Sequence, residues 1–381
     1  MWKSKSIGGI VLLTSVLMGC IETYDPPLDN RDVNYLVVDG FLNASNGTAN
    51  IVLTRTLPVK SKEFIPAESG ASVQIADSNG EVYSLTETNP GVYTGSIANV
   101  DAQIRYRLSI RTRNNREYSS EPIEVVESPV IDSISYWLDN NEVVFGVNSH
   151  DPTGKARYFR WKFIETYEYR SKYHSSFRFA GNDIELRTQE EFISTCWKSN
   201  PSTEILLGST RHLSESVVSN NALLTIPFGS IKLSIKYRIF VQQQSLTEEA
   251  YNYWLNLRKS TENLGSLFDP LPSEVSGNIH STTAPGENVI GYFSAGTIAE
   301  TVRYVRRSEL PKEATRNAGI NPTCLIDTIL TADIPNISHS TLLIDELFEN
   351  GITPIGYSTS ESICIDCRIH GGTTSRPPLW E

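Results

Sequence analysis

Residues 104–111 alternate without a break: Ile104, Tyr106, Leu108 and Ile110 are apolar, and Arg105, Arg107, Ser109 and Arg111 are polar. Only an extended chain sends such neighbours to opposite sides, so this run is a strand with one buried and one charged face. The same pattern recurs upstream in shorter pieces. Leu36-Val37-Val38, Ile51-Val52-Leu53-Thr54, Val73 with Ile75, Val82-Tyr83-Ser84-Leu85, Val92-Tyr93-Thr94 and Glu117-Tyr118-Ser119 all read as strands. Turn formers stand between them: Gly47, Asp77-Ser78-Asn79-Gly80, Asn89-Pro90-Gly91 and Asn114-Asn115. About seven short strands at this spacing predict a β-sandwich over residues 34–127.

Glu127-Ser128-Pro129 marks a boundary, and a second strand series follows. Its members start at Ile131 (IDSISYWLD), Glu142 (EVVFGVNSHD), Arg157 (RYFRWKFIETYEYR), Leu223 (LLTIPF) and Tyr237 (YRIFVQQQS). They predict a second sandwich over 128–245, interrupted at about 167–204 by a long polar insertion of the kind that forms contact loops. Ser245-Leu246-Thr247-Glu248 spells a capping box, and Leu246, Ala250, Tyr253, Trp254 and Leu257 then fall on one helical face. Gly265 supplies a stop, and a second short helix is expected over Leu342 to Glu349, ended by Asn350-Gly351. The expected fold is mainly β. Two tandem sandwiches, immunoglobulin- or fibronectin-III-like, precede a C-terminal segment, 246–381, that holds one or two helices and packs on the second domain.

The amino terminus carries a different kind of signal. Lys3 and Lys5 precede an apolar run from Ile7 to Met18, too short to span a bilayer as a stable helix. Leu17-Met18-Gly19-Cys20 closes that run and looks like a bacterial lipobox, in which the Cys20 thiol is diacylated and the chain is cut before it. Residues 1–19 are then a signal peptide and 20–33 a lipidated tether, polar and stiffened by Pro26 and Pro27. Several acyl chains give stable anchoring where one does not. Glu22 and Asp25 resemble the acidic mark that some bacteria read to send lipoproteins to the cell surface. The expected location is the outer membrane, lipid-anchored and facing outward.

A formal net charge of −11 argues against nucleic acid and against electrostatic docking on anionic lipid. Apart from Cys20 the cysteines are Cys196, Cys324, Cys364 and Cys367. An even number in an exported chain favours two disulfides. Three pairings are possible. In the two preferred ones Cys364 and Cys367 each reach back to Cys196 or Cys324, because closing long loops removes more unfolded-state entropy. No HExxH, GxSxG or SxxK motif and no DxDxDG loop occurs. The CxxC pair at 364–367 is followed by Gly371-Gly372 and Pro377-Pro378, which disfavour the helix a redox cysteine needs. No catalytic residue, metal or cofactor is therefore expected. Asp132-Ser133-Ile134 and Asp327-Thr328-Ile329 match a short pattern for bacterial O-glycosylation. Tyr167, Tyr169, Tyr173, Phe177 and Phe179, interleaved with Arg170, Lys172, His174 and Arg178, are expected to form an exposed contact surface.

Five segments together carry a resemblance: LVVDGFLN (36–43), YRIFVQQQSLTEEAYNYW (237–254), GSLFDPLPSEVSGNI (265–279), GENVIGYFSA (286–295) and CIDCRIHGGTTSRPPLW (364–380). With the lipobox, they resemble a Bacteroidota lipoprotein family known as domain of unknown function 4249. That resemblance implies no activity. Genes of the family often stand beside TonB-dependent outer-membrane transporters, which implies a β-barrel partner. The expected function is a non-catalytic outer-membrane lipoprotein, an accessory or binding component of such a transporter or of another outer-membrane complex. Two other classes stay open: a structural or adhesive surface protein, and a hydrolase whose site only the fold assembles.

Overall fold

A computed structural model describes residues 34–57, 64–181, 183–262, 275–319, 323–338, 340–378 and 380. The lipobox, the tether and Gly265 lie outside the described residues. The chain is mainly β, as its alternating pattern requires. Its first eight strands are β1 (Leu36–Asn43), β2 (Thr48–Arg55), β3 (Ser72–Asp77), β4 (Val82–Asn89), β5 (Val92–Ser96), β6 (Tyr106–Arg111), β7 (Glu117–Ser120) and β8 (Val125–Val126). In β6, Tyr106, Leu108 and Ile110 are buried while Arg107 and Arg111 stay in water. They meet Leu36, Val38, Ile51, Val73 and Tyr93 in the core of the first sandwich.

The second sandwich is built from β9 (Ile131–Asp139), β10 (Glu142–Asp151), β11 (Tyr158–Arg170), β14 (Thr195–Pro201), β15 (Leu206–Ser209), β16 (Ser216–Pro227) and β17 (Lys236–Leu246). Between β11 and β14 lie β12 (Phe177–Ala180) and β13 (Asp183–Leu186). One sheet runs β16-β10-β9, and the facing sheet is built around β11 and β17. Between them sit Phe145, Phe159, Trp161, Tyr237 and Ile239. Two polar groups are buried with them. The Trp161 indole N–H donates to Gln243 (2.9 Å), whose amide donates to the Pro129 carbonyl (2.8 Å) and so ties the interdomain boundary to the core. Glu165 accepts from Lys232 (2.6 Å), Tyr237 (2.9 Å) and Asn200 (3.0 Å).

Helix α1 (Glu248–Glu262) follows β17 directly. Its cap is Thr247, whose hydroxyl accepts from the Ala250 amide at 3.2 Å. The capping box expected at Ser245 lies two residues too early, because Ser245 and Leu246 still pair with Phe159 and Tyr158 in the sheet. Ala250, Tyr253 and Trp254 form the buried face with Leu246, and Leu257 packs at its margin, as the spacing predicts.

After α1 the chain goes back to the first sandwich. β18 (Ile279–Ser281) pairs with β7, and β19 (Val289–Gly296) runs parallel to β1 and β8, between them. The first sheet thus has ten strands, in the order β18-β7-β6-β3-β4-β5-β2-β1-β19-β8. The Asn278 side chain fixes the return, accepting from the Phe293 amide (2.9 Å) and donating to its carbonyl (2.8 Å). A Cβ on Gly277 would sit 1.4 Å from the Gly291 carbonyl oxygen, so the two backbones touch only because residue 277 has no side chain. β20 (Ile298–Arg306) then rejoins the second sandwich on β17. Residues 246–381 are accordingly not one segment on the second domain: 279–296 belong to the first sheet, whose edge β1 needed a partner.

A third, smaller sheet closes the molecule. Past the short helix α2 (Lys312–Thr315) come β21 (Asp327–Leu330), β22 (Leu343–Glu349), β23 (Thr353–Thr359) and a last short helix α3 (Ser362–Ile365). The sheet order is β13-β12-β22-β23-β21, so the insertion and the C-terminal residues build it jointly. The helix expected at 342–349 is strand β22. Asn350 and Gly351 both take positive φ (53° and 74°), the conformation of a tight hairpin turn rather than a helix stop. Its buried apolar cluster is small, Ile193, Ile344 and Ile365 with Tyr173 and Leu342 at the margin. Two disulfides, Cys196–Cys367 and Cys324–Cys364, supply what that core lacks. Cys364 and Cys367 each reach back along the chain, as loop entropy favours, and the fold decides which of the two remaining pairings forms.

Candidate binding cleft

Helix α1 packs between β19 of the first sheet and β11, β15 and β17 of the second sandwich and leaves a cleft of about 580 Å3 beside it. The spacing of its residues explains how. Tyr253 turns inward, packing at 5.2 Å on both Trp254 and Tyr292 of β19. Glu249, Asn252 and Asn256 stand on the same side of the helix, one turn apart, and line the cleft. Opposite them are Arg105, Glu121 and Glu124 of the first sandwich, and Tyr292 with Tyr253 forms the base. Asn252, Asn256, Glu124 and Glu249 have no side-chain hydrogen bond among the described residues. The cleft thus offers amide donors and acceptors, carboxylates and one guanidinium above aromatic rings, which is the make-up of a polar ligand site.

The far side of the helix is held by a charge. The Arg160 guanidinium lies 3.4 Å over the Trp254 ring. Burial depresses its pKa, and the Asp39 carboxylate opposes that shift. Burial pushes the Tyr253 phenol far up, with the Asp39 charge adding to the effect. Tyr292 is raised by burial too, although the Thr247 hydroxyl bonded to it works the other way.

These phenols, with Tyr93, Tyr106, Tyr118, Tyr167, Tyr169 and Tyr237, share one cause, burial that disfavours the phenolate. A group whose folded pKa is raised lends stability below its unfolded pKa, about 10 for tyrosine, and loses it as pH rises beyond. The protein should therefore unfold cooperatively above about pH 10. Circular dichroism and tyrosinate absorbance followed together should change in one step. Tyrosinate absorbance rising fully while the dichroism stays native would contradict this.

The structure corrects the contact surface expected at 167–179. β11 stays extended to Arg170, so Phe159, Trp161, Tyr167 and Tyr169 all face the core. The Tyr169 hydroxyl donates to the Cys367 carbonyl at 3.0 Å. Tyr173 packs against the small cluster of the third sheet and donates to the Cys324 carbonyl. Phe177 meets Tyr357 edge-on at 5.2 Å, and Phe179 is half-buried on β12. None of the five presents an exposed ring. The histidines keep separate company: His150 bonds Asp132, His174 bonds Ser194, and His280 lies near Glu121. His339 lies outside the described residues. Among the described residues no three His, Cys, Asp or Glu side chains gather into a possible metal site. Sequence reading missed the cleft because half of its wall arrives from residues 105–124, far from α1 in the chain. The available signal was the polar row Glu249, Asn252 and Asn256 on a helix otherwise read for its apolar face.

A family model described as a domain of unknown function, DUF4249, matches residues 21–301, which cover both sandwiches. The chain belongs to the DUF4249 family. The matched span of this DUF4249 protein includes α1 and every cleft residue. No curated protein matches it. Among solved structures it is similar to a DUF4785 family protein from Legionella pneumophila, at 9% identity and a TM-score of 0.18, covering 57% of this chain and 54% of that one. It thus spans about half the length of that protein. A segment of two fibronectin type-III domains from chicken tenascin is similar at 12% identity and a TM-score of 0.16, covering 56% of this chain and 93% of that segment.

Proposed function

We propose that this DUF4249 protein is a non-catalytic, lipid-anchored component of the outer membrane, an accessory or binding subunit of a TonB-dependent transporter or a comparable outer-membrane complex. The observation that carries the reading is Cys20, placed directly after the apolar run and Leu17-Met18-Gly19. Thirteen tether residues, 21–33, then separate that thiol from the first described residue, Asn34. Tandem sandwiches with a polar cleft between helix and sheet suit a part that holds a ligand or a neighbour for a membrane protein. Among the described residues no helix is long and apolar enough to cross a membrane.

Cys20→Ala is the direct test. The wild-type protein should incorporate labelled palmitate and sediment with outer membranes, and the variant should do neither. Continued labelling, or membrane association without Cys20, would overturn the anchor. Extraction of wild-type membranes in mild detergent should bring a β-barrel protein along with this chain. Its repeated absence would remove the partner half of the proposal. Protease added to intact cells should cut the protein if it faces outward.

A further inference from the structure

The free end of the third sheet is apolar and ringed by acid. Leu330 on β21 is 50% exposed, Phe348 on β22 is 48% exposed, and Ile352 in the hairpin turn is 83% exposed. Strand pairing brings all three to the hairpin end of the sheet, Leu330 and Phe348 on the two strands that flank β23. Leu347 lies across from Gly356, which lies across from Leu330, and Phe348 lies across from Pro354. Gly356 has to be bare, since a Cβ there would come 2.0 Å from the Ile329 carbonyl oxygen. Along the chain that carries these side chains the formal charge is of one sign. Between Arg316 and Arg368 the chain contains seven carboxylates and no lysine or arginine. Asp327, Asp333, Asp345 and Glu349 are exposed. The nearest cation of the same sheet, Arg178 on β12, is already paired with Glu185 and Glu191 at the opposite edge.

A cluster of large exposed apolar side chains inside a charged rim has the anatomy of a protein interface. The sign of the rim selects the occupant. Acid repels an anionic lipid surface and repels the same face of a second copy. We infer that the β21–β23 edge docks an envelope protein whose own face is apolar with a lysine- or arginine-rich rim. The inference rests on the reading of this chain as part of an outer-membrane complex and names the surface that would make the contact. The two disulfides fit this role: Cys324–Cys364 braces a lobe with little core of its own, and Cys196–Cys367 fastens it to β14 of the second sandwich.

A photo-crosslinking amino acid at Ile352, in the full lipidated protein in its native membrane, tests the proposal. The adduct should map to one envelope protein, at a peptide where lysine or arginine flanks apolar residues. Glu349→Lys should cut the yield about tenfold or more, as should 1 M salt, which shrinks the screening length to about 3 Å. A crosslink to lipid or to another copy of this chain would overturn the inference. So would no adduct, or a yield indifferent to the charge reversal. The same label at Asn256 in the cleft separates the two readings. Adducts to a barrel from Asn256 but none from Ile352 sink the docking edge and leave the proposed function standing. No envelope adduct from either position, with palmitate label absent at Cys20, sinks both.

Discussion

Cys196→Ser should lower the unfolding free energy of the protein by about 3–5 kcal/mol. The bond it removes joins Cys196 to Cys367, 171 residues apart, and long loops gain the most from closure in the chain-entropy account. Both cysteines are fully buried, so the variant also strands a polar hydroxyl and a thiol in the core. The damage should begin at the tail. Beyond Cys367, Thr373 bridges Trp197 by two backbone hydrogen bonds, and the Trp380 indole donates to Glu168 at 3.1 Å. The remaining disulfide, Cys324–Cys364, ties this tail to residue 324 but not to β14. Guanidinium unfolding should show the loss, and limited proteolysis should release the last residues first. Cys324→Ser opens a loop of only 40 residues and should cost less. Equal costs for the two variants would contradict the loop argument.

Glu165→Ala should be nearly as harmful, about 3 kcal/mol, through unsatisfied polar groups rather than lost entropy. The carboxylate is buried and satisfies three donors at once: Lys232, Tyr237 and Asn200. Lys232 keeps about a third of its side chain in water and can turn outward. Tyr237 is enclosed and cannot, so most of the penalty falls on its hydroxyl. The double variant Glu165→Leu with Tyr237→Phe removes carboxylate and phenol together. It should unfold at higher denaturant than Glu165→Ala. If the double variant is the less stable of the two, the network is not what Glu165 contributes.

Much of this fold can be read from local pattern. Strict alternation at 104–111 dictates β6, and the row Ala250, Tyr253, Trp254 and Leu257 dictates the buried side of α1. Loop entropy sets aside a Cys364–Cys367 bond but leaves two pairings open, and only the fold chooses Cys196–Cys367 with Cys324–Cys364. The failures have a common origin in long-range pairing. Leu342–Glu349 has no periodicity that separates helix from strand, and its fate is settled by β23 on one side and Phe177 of β12 on the other. Asn350-Gly351 ends a helix or turns a hairpin with equal ease. The aromatic run from Tyr167 to Phe179 was expected to be a surface because it sits in a polar insertion, yet β11 simply continues through its first residues. Nothing local reports that β19 goes home to β1, and without that pairing the cleft beside α1 has no floor.

That pairing governs the order in which the polypeptide can mature. The amino-terminal half stays an unfinished sheet, its β1 edge unclothed, until residue 296 has been made. For most of its synthesis the growing chain is therefore a sticky, half-zipped intermediate. A chaperone with a taste for bare strand edges would meet this chain well before either sandwich is complete.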